Sequence, residues 1–296
     1  MPWDHDHAAR DDRIGVVIAS RNRLGPLERT LERVLALPER PCVVLVDNAS
    51  TDGTVAAVRD RFPSVEVIAL ARNEEGAART RGVERLTTPY VAFCDDDSWW
   101  SPGALTRAAD LLDDHPSLGL VAARILVGEE ERVDPTSEHM SASPLRREPD
   151  LPGVPVLGFL ACGAVVRRAA YLEAGGFESR LGVGGEEELL ALDLAAAGWS
   201  LVYVDDVVAH HDPPPRPDQG PRARRLVRNQ LWTVWMRRPP AAALRHTARL
   251  LLRAPADRAR SRGVVDAIRG LPWALRNRRS LPPEVEARLR TLESGA

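Results

Sequence analysis

Three consecutive aspartates, Asp95, Asp96 and Asp97, follow the apolar run Tyr90–Cys94. Adjacent carboxylates at the end of a buried strand repel one another, and a divalent cation that accepts hard oxygen ligands offsets that repulsion best. Asp95 and Asp97 have the spacing to hold such a cation together with a diphosphate. We therefore predict a metal site here. The alternative is a solvated acidic turn or helix cap, but Ser101 is expected to cap the helix that follows.

Other polar residues stand where apolar runs end. Ser20 and Asn22 follow the first run, and Asp47 ends the second, where its carboxylate is expected to emerge and accept hydrogen bonds from a nucleobase. A turn-forming role for Asp47 is the alternative. Arg79 lies on the helix after the third run. It either pairs with phosphate or base edges, or sits in an exposed pair with Glu75, four residues earlier.

Two further clusters lie downstream. Glu186, Glu187 and Glu188 follow two glycines, and acidic enrichment in the first turn of a helix explains their charge but not three in a row. His210 and His211 precede a proline-rich segment, and we expect one of them to be a metal ligand rather than part of an exposed pair. No G-x-G-x-x-G motif follows the first strand, which argues against a nicotinamide or flavin cofactor.

The composition excludes several reaction classes. The chain has 296 residues and 40 basic residues, all of which are arginine. Without lysine there is no Walker-type or kinase-type phosphate lysine and no Schiff base. The three cysteines lie far apart in apolar runs, so we expect buried thiols. No run approaches the roughly 20 apolar residues of a membrane span, and the N-terminus lacks the pattern of a secretory signal. A cytoplasmic location is expected, either free or at the inner face of the membrane.

Alternating apolar runs and helical patterns predict an α/β fold with a mostly parallel sheet. The predicted strands are 14–20, 42–47, 65–70, 90–94, 118–127 and 161–167, followed by a strand pair in 201–210; the predicted helices are 26–36, 53–61, 76–86, 168–174 and 186–197, with another opening at Ser101–Pro102. The segment 128–155 is expected to be a mobile loop or an excursion from the sheet. We divide the chain into a flexible N-terminus (1–13), a main domain (14–212) and an arginine-rich helical extension (213–296).

Charge is distributed unevenly along the chain. Residues 1–215 carry a formal charge of −15 and residues 216–296 carry +13. The acidic body opposes nucleic acid, which we therefore do not expect as a partner. Arginines beside Trp232 and Trp235 are typical of an interfacial helix at an anionic membrane. Helices packed against the main domain, with arginines facing its acids, are the alternative.

The motifs, in their order, resemble the inverting nucleotide-sugar glycosyltransferases of family 2, which have the GT-A fold, a Rossmann-like, mostly parallel sheet flanked by helices. The similarity covers about residues 14–212. It rests on the segments Val17–Arg23, Val46–Thr54, Asn73–Gly82, Asp95–Asp97, Gly175–Phe177, Gly184–Glu188, Ala197–Trp199 and His210–His211. Ser20-Arg21 stands where many members have Thr-Tyr, Thr80 replaces a frequent Asn, and Glu186-Glu187 replaces Glu-Asp.

The resemblance implies roles for these residues. Ser20, Asn22, Asp47, Arg79, Asp95 and Asp96 would bind the nucleotide sugar; Asp95, Asp97 and one of His210 and His211 would hold Mn²⁺ or Mg²⁺; Glu187, or failing that Glu186, would be the general base. The implied activity is metal-dependent, inverting sugar transfer to an acceptor hydroxyl on a glycan, a lipid-linked molecule or a small molecule. The alternatives are a sugar nucleotidyltransferase, which needs a glycine-rich basic loop that Ser20–Gly25 matches poorly, and a non-catalytic scaffold at a membrane surface.

Overall fold

A mixed ten-stranded sheet lies at the centre of the described chain. The computed structural model describes residues 10–214, 220–253 and 258–294. Residues 1–9 of the expected flexible N-terminus, and residues 215–217 of the proline-rich segment, lie outside the described residues.

Strands and helices alternate through the first third of the chain, as the sequence predicts. They are β1 (Ile14–Ser20), α1 (Leu24–Leu35), β2 (Cys42–Asp47), α2 (Thr54–Arg61), β3 (Glu66–Ala69), α3 (Ala78–Arg85) and β4 (Tyr90–Asp95), with a 3₁₀ turn at Glu75–Ala77 before α3. In β1, Val16 and Ile18 belong to one apolar cluster, whereas Val17 belongs to another. Because neighbouring side chains of a strand point to opposite faces, β1 is buried on both sides, which explains its continuous apolar run.

The middle of the chain completes the sheet. Its elements are β5 (Ser98–Trp100), α4 (Ala104–Asp114), β6 (Leu118–Val127), β7 (Arg132–Val133), α5 (Pro135–Ser141), β8 (Val154–Pro155), β9 (Ala164–Arg167), α6 (Arg168–Glu173), α7 (Glu186–Ala196) and β10 (Ser200–His211). The main strand order is β3-β2-β1-β4-β9-β6-β10-β5. The first four are parallel, β9 is antiparallel to both of its neighbours, β6 and β10 are parallel, and β5 is antiparallel to β10.

The segment 128–155 forms a structured excursion rather than a loop, because it contains β7, α5 and β8 and buries Met140 and Leu145 in the core. Two local expectations were wrong. The strand pair expected in 201–210 is the single strand β10, with an irregularity between Val204 and Val208. Ser101 does not cap α4, whose N-cap residue is Gly103.

Four helices follow the sheet: α8 (Gly220–Arg237), α9 (Pro240–Arg253), α10 (Arg258–Arg276) and α11 (Pro283–Ser294). Helices α8 and α10 cross closely. A Cβ at Gly263 of α10 would lie 2.4 Å from the carbonyl oxygen of Arg224, so this approach requires glycine. The indole nitrogen of Trp232 donates to the carbonyl of Ala267 at 2.9 Å.

Helix α8 also packs against the body of the sheet domain. Leu189 of α7 shares an apolar cluster with Leu231 and Met236 of α8. Arg237 of α8 forms an ion pair with Asp193 of α7, with Nη2 2.9 Å from Oδ2. For α8, the structure therefore agrees with the alternative that arginines of the extension face acids of the main domain. Among the described helices, none is long and apolar enough to span a bilayer.

Candidate active site

The carboxyl ends of β1, β2 and β4 lie side by side at one edge of the sheet. In the parallel register, Ser20 is opposite Asp47, and Ala19 is opposite Asp95. Polar groups at the ends of adjacent parallel strands gather at the crevice where ligands bind to open α/β sheets. The structure thus brings together three of the residues that the sequence singled out.

Arg23 holds two of the three consecutive aspartates. Its Nη2 donates to Asp97 Oδ2 at 2.7 Å, and its Nε lies 2.9 Å from Asp96 Oδ1. Ser20 Oγ donates to Asp96 Oδ2 at 2.8 Å. Burial raises the pKa of Asp96 to about 6, while Arg23 and Ser20 act in the opposite direction. Asp96 is thus a buried anchor of the turn, and Asp95 and Asp97 flank it.

Arg79 reaches across from α3 to Asp95 and forms an ion pair with its carboxylate. Arg79 is buried, and although burial lowers its pKa, the carboxylates of Asp95 and Glu186 raise that pKa above its ordinary value. The alternative exposed pair with Glu75 does not form among the described contacts. Glu75 Oε2 instead accepts the backbone N–H of Val183 at 3.1 Å and bonds Arg225 at 3.1 Å.

The two histidines at the end of β10 have different surroundings because adjacent strand residues face opposite ways. Nε2 of His211 lies 3.3 Å from Asp97 Oδ1. His210 stacks on Trp99 with ring centroids 5.2 Å apart, and its Nε2 lies 2.8 Å from Ser101 Oγ. The structure brings His211 to the aspartates and places His210 elsewhere. Ser101 thus contacts His210 and does not cap α4.

One metal-ligating cluster stands out among the described residues. Ligand atoms of Asp95, His211 and Cys162 all lie within 4.8 Å of one another. Burial raises the pKa of the Cys162 thiol, which therefore stays protonated and is a poor ligand for a hard cation. Carboxylate oxygens and one imidazole nitrogen suit Mn²⁺, and carboxylate oxygens suit Mg²⁺. The donor set of Asp95, Asp97 and His211 therefore fits a divalent cation of this type.

The expected nucleobase end of the site is more enclosed than the sequence suggested. Asp47 is only 2% exposed, its Oδ2 accepts the backbone N–H of Ser50 at 3.0 Å, and its buried Oδ1 has no hydrogen-bond partner among the described residues. This carboxylate lies at the end of β2, as expected, but the loop that follows the strand encloses it. Asn22 Oδ1 accepts the N–H of Thr51 at 2.7 Å, so Asn22 joins the loops after β1 and β2.

The two candidate bases begin α7. Glu187 is partly exposed, and its Oε1 accepts the backbone N–H of Ala161 at 2.9 Å. Glu186 is 2% exposed and accepts the N–H of Gly184. Desolvation raises the pKa of both carboxylates, and the neighbouring Glu186 raises that of Glu187 further, to about 8. Burial and neighbouring negative charge thus both disfavour the ionised form of these carboxyl groups.

An open cleft of about 520 Å³ lies over the strand ends. Of the candidate residues, it is lined by Ser20, Arg79, the three aspartates and His211, but not by Asn22, Asp47, Glu186, Glu187 or His210. The other lining residues were not assigned to the site from the sequence; they are Ala19, Arg21, Arg23, Asn48, Asn73, Glu75, Val183, Pro221, Arg222 and Arg225. Arg23 directly follows Asn22 and belongs to the segment Val17–Arg23, on which the family resemblance rests. Arg222 and Arg225 carried no local signal, since they reach the cleft only through the packing of α8.

Comparison with known proteins gives a consistent result. The model of the family "Glycosyl transferase family 2" matches residues 15–175. An N-acetylglucosaminyl-diphospho-decaprenol L-rhamnosyltransferase of Mycobacterium tuberculosis is 28% identical over 231 residues, which are 66% of this chain and 75% of the relative. A pre-mycofactocin glycosyltransferase of the same organism is 31% identical over 213 residues, which are 67% of this chain and 42% of the relative.

Solved structures share the fold. The mannosyltransferase PcManGT of Pyrobaculum calidifontis, in complex with GDP-Man and Mn²⁺, superposes with a TM-score of 0.60 at 21% identity, covering 100% of this chain and 79% of that one. GalNAc-T7 with UDP, GalNAc and Mn²⁺ superposes with a TM-score of 0.59 at 17% identity, covering 75% of this chain and 47% of that one.

These comparisons confirm the predicted GT-A fold and a glycosyltransferase activity, in preference to a nucleotidyltransferase or a non-catalytic scaffold. In this fold the three aspartates follow β4, Arg79 lies on α3, and Glu186 and Glu187 begin α7. The chain belongs to glycosyl transferase family 2.

Proposed function

We propose that this protein is a metal-dependent, inverting glycosyltransferase that moves a sugar from a nucleoside-diphosphate donor to an acceptor hydroxyl. The observation that carries the proposal is the meeting of Asp95, Asp97 and His211 in one open cleft. These residues come from β4, the turn after it and the end of β10, which are distant in sequence. The cleft also contains Arg79, a buried cation beside Asp95.

Donor binding follows from this arrangement. Asp95, Asp97 and His211 would hold Mn²⁺ or Mg²⁺, and such a cation, when bound, neutralises negative charge on the donor diphosphate. Arg79 supplies a further fixed positive charge. Ser20 and Asp96 hold the turn in place through their 2.8 Å hydrogen bond. Oδ1 of Asp47, which has no hydrogen-bond partner among the described residues, is the acceptor that a nucleobase N–H would satisfy.

Glu187 is the proposed general base. It removes the proton of the acceptor hydroxyl as that oxygen bonds to the anomeric carbon, and the bond from this carbon to the diphosphate oxygen breaks. The electron pair of that bond leaves with the nucleoside diphosphate, and the proton passes from Glu187 to solvent. Attack from the face opposite the leaving group inverts the anomeric configuration. Glu187 is preferred to Glu186 because it is the less buried of the two.

We also propose that the C-terminal helices attach the protein to an anionic membrane surface. Helix α9 exposes Leu244, Leu251 and Leu252, by 59%, 48% and 83% respectively. Arg245 and Arg249 on the same helix are exposed as well. Apolar side chains flanked by arginines are typical of helices that lie in a membrane interface.

The test is incubation with a panel of nucleotide sugars and Mn²⁺, with slow donor hydrolysis scored by mass spectrometry. We expect one donor to be hydrolysed, and Asp97→Asn to abolish the Mn²⁺-promoted part. Asp114→Asn, on the exposed end of α4, is the matched control and should behave as wild type. Equal calorimetric affinity of wild type and Asp97→Asn for the nucleoside diphosphate, with and without Mn²⁺, would overturn the metal assignment.

A further inference from the structure

A second pocket, which we call the arginine pocket, lies between α8 and α10. Its volume is about 580 Å³. It is lined by Gly220, Pro221, Arg224, Arg225, Arg228, Arg258, Ala259, Arg262 and Asp266. Among the described residues, five guanidinium groups thus line this space together with a single carboxylate. Like charges gathered in this way repel one another, and a bound anion would relieve that repulsion.

The internal contacts of the pocket offset only part of this charge. Nε and Nη2 of Arg224 donate hydrogen bonds to the two carboxylate oxygens of Asp266, at 2.5 and 3.0 Å. Partial burial and the nearby Arg225 lower the pKa of Arg228. Arg258 and Arg262 are exposed, lie one turn apart on α10, and form no ion pair with an acid within the described chain. The guanidinium fork matches phosphate oxygens in a bidentate way, so the pocket favours a phosphate or diphosphate group.

The position of the pocket indicates which phosphate compound it would bind. Pro221 and Arg225 line both the arginine pocket and the cleft over the strand ends. Arg225 also bonds Glu75, another residue of the cleft, at 3.1 Å. A group bound among the arginines is therefore adjacent to the proposed site of sugar transfer. On the outer side, Val265 and Ile268 of α10 are 46% and 63% exposed, and they offer an apolar surface beside the pocket.

We propose that the arginine pocket binds the diphosphate of a lipid-diphosphate-linked acceptor. The diphosphate would lie between α8 and α10, the lipid would pass along the exposed apolar residues of α10, and the acceptor sugar would extend past Arg225 into the cleft. This proposal rests on the proposed function, since it assigns the acceptor of that reaction. It gives the arginine-rich extension a role in substrate binding.

The experiment is calorimetric titration of the full chain with farnesyl diphosphate, and with farnesol as the uncharged probe. EDTA is present, so that metal-dependent binding of a diphosphate in the donor cleft does not contribute. The test variant is the double substitution Arg258→Gln with Arg262→Gln. The control is Arg276→Gln with Arg279→Gln, which removes two charges from exposed positions at and just beyond the end of α10, outside the pocket.

We expect wild type and the control to bind farnesyl diphosphate equally and farnesol far more weakly. The test variant should bind farnesyl diphosphate about tenfold more weakly or worse, since two charge-assisted contacts are lost. Equal losses in both double variants would show a general charge effect, and no loss in either would show binding elsewhere; both results overturn the proposal.

Two further measurements keep the outcomes distinct. If only vesicles containing phosphatidylglycerol, and not farnesyl diphosphate, depend on Arg258 and Arg262, the pocket binds a bilayer headgroup and the acceptor assignment is wrong. Hydrolysis of the nucleotide sugar is measured in the same variants and should be unchanged. If no donor is hydrolysed even by wild type, the proposed function fails, whereas normal donor hydrolysis with unaltered farnesyl diphosphate binding refutes the arginine pocket alone.

Discussion

Replacing Glu187 with glutamine separates the acceptor half of the site from the donor half. Glu187 Oε1 accepts the N–H of Ala161 at 2.9 Å, and the amide oxygen of glutamine can keep this hydrogen bond and the shape of the side chain. Glutamine cannot take a proton from an acceptor hydroxyl. We therefore expect Glu187→Gln to bind the nucleotide sugar normally and to lose transfer.

The expected loss is large. A positioned general base contributes roughly 10²- to 10⁴-fold in rate, which corresponds to about 3 to 5 kcal/mol of the activation barrier. Glu186→Gln is the matched control from the same turn of α7. Its carboxylate is 2% exposed and accepts the N–H of Gly184, so this substitution is expected to affect the local turn more than the chemical step.

The same variant has a second, independent readout in stability. The pKa of Glu187 is raised from 4.5 to about 8 because desolvation and Glu186 disfavour its charged form. Between these values the folded chain holds more protons than the unfolded chain, so stability falls as the pH rises from about 4.5 to about 8. Glutamine does not ionise. The decrease in unfolding free energy between pH 5 and pH 8, measured by urea denaturation, should therefore be smaller in Glu187→Gln than in wild type.

Transfer is measured as the initial rate of product formation at saturating donor, and donor affinity by calorimetry. Near-normal transfer by Glu187→Gln together with a loss in Glu186→Gln would assign the base to Glu186. Near-normal transfer by both variants would refute the acceptor half of the reasoning. An unaltered pH dependence of stability would show that Glu187 is ionised in the folded protein at neutral pH.

Three other predictions concern the metal, the tail and the membrane. His211→Ala should weaken Mn²⁺ binding, measured by calorimetry, by about tenfold or more, whereas His210→Ala should leave it unchanged because His210 faces Trp99. Asp193→Ala leaves the buried guanidinium of Arg237 without its ion-pair partner and should lower the free energy of urea unfolding by about 3 kcal/mol; a change below about 1 kcal/mol would argue against α8 being anchored by this pair. Leu252→Ser should reduce co-sedimentation with phosphatidylglycerol vesicles, and unchanged co-sedimentation would count against attachment through α9.

The sequence by itself determined the order of the strands and helices and the site motifs that follow the strands. Strands β1, β2 and β6 have the predicted ends, because each is a short apolar run bounded by polar or turn residues. It also indicated that the three aspartates lie at the same edge of the sheet as the end of β1, since adjacent parallel strands present their carboxyl ends at one edge. These properties depend on local periodicity and on a general rule of sheet topology.

Only the tertiary structure showed which of two neighbouring candidates reaches the site and which distant residues come into contact. His210 and His211 are equivalent in sequence, but the register of β10 against β6 directs only His211 toward Asp97. Cys162 was expected to be a buried thiol, and only the packing of β4 and β10 around it placed it beside Asp95. Arg225 joins the cleft because α8 docks on the sheet domain and brings it to Glu75, 150 residues earlier in the chain. Contacts of this length arise from the packing of whole elements, which no local pattern of residue types encodes.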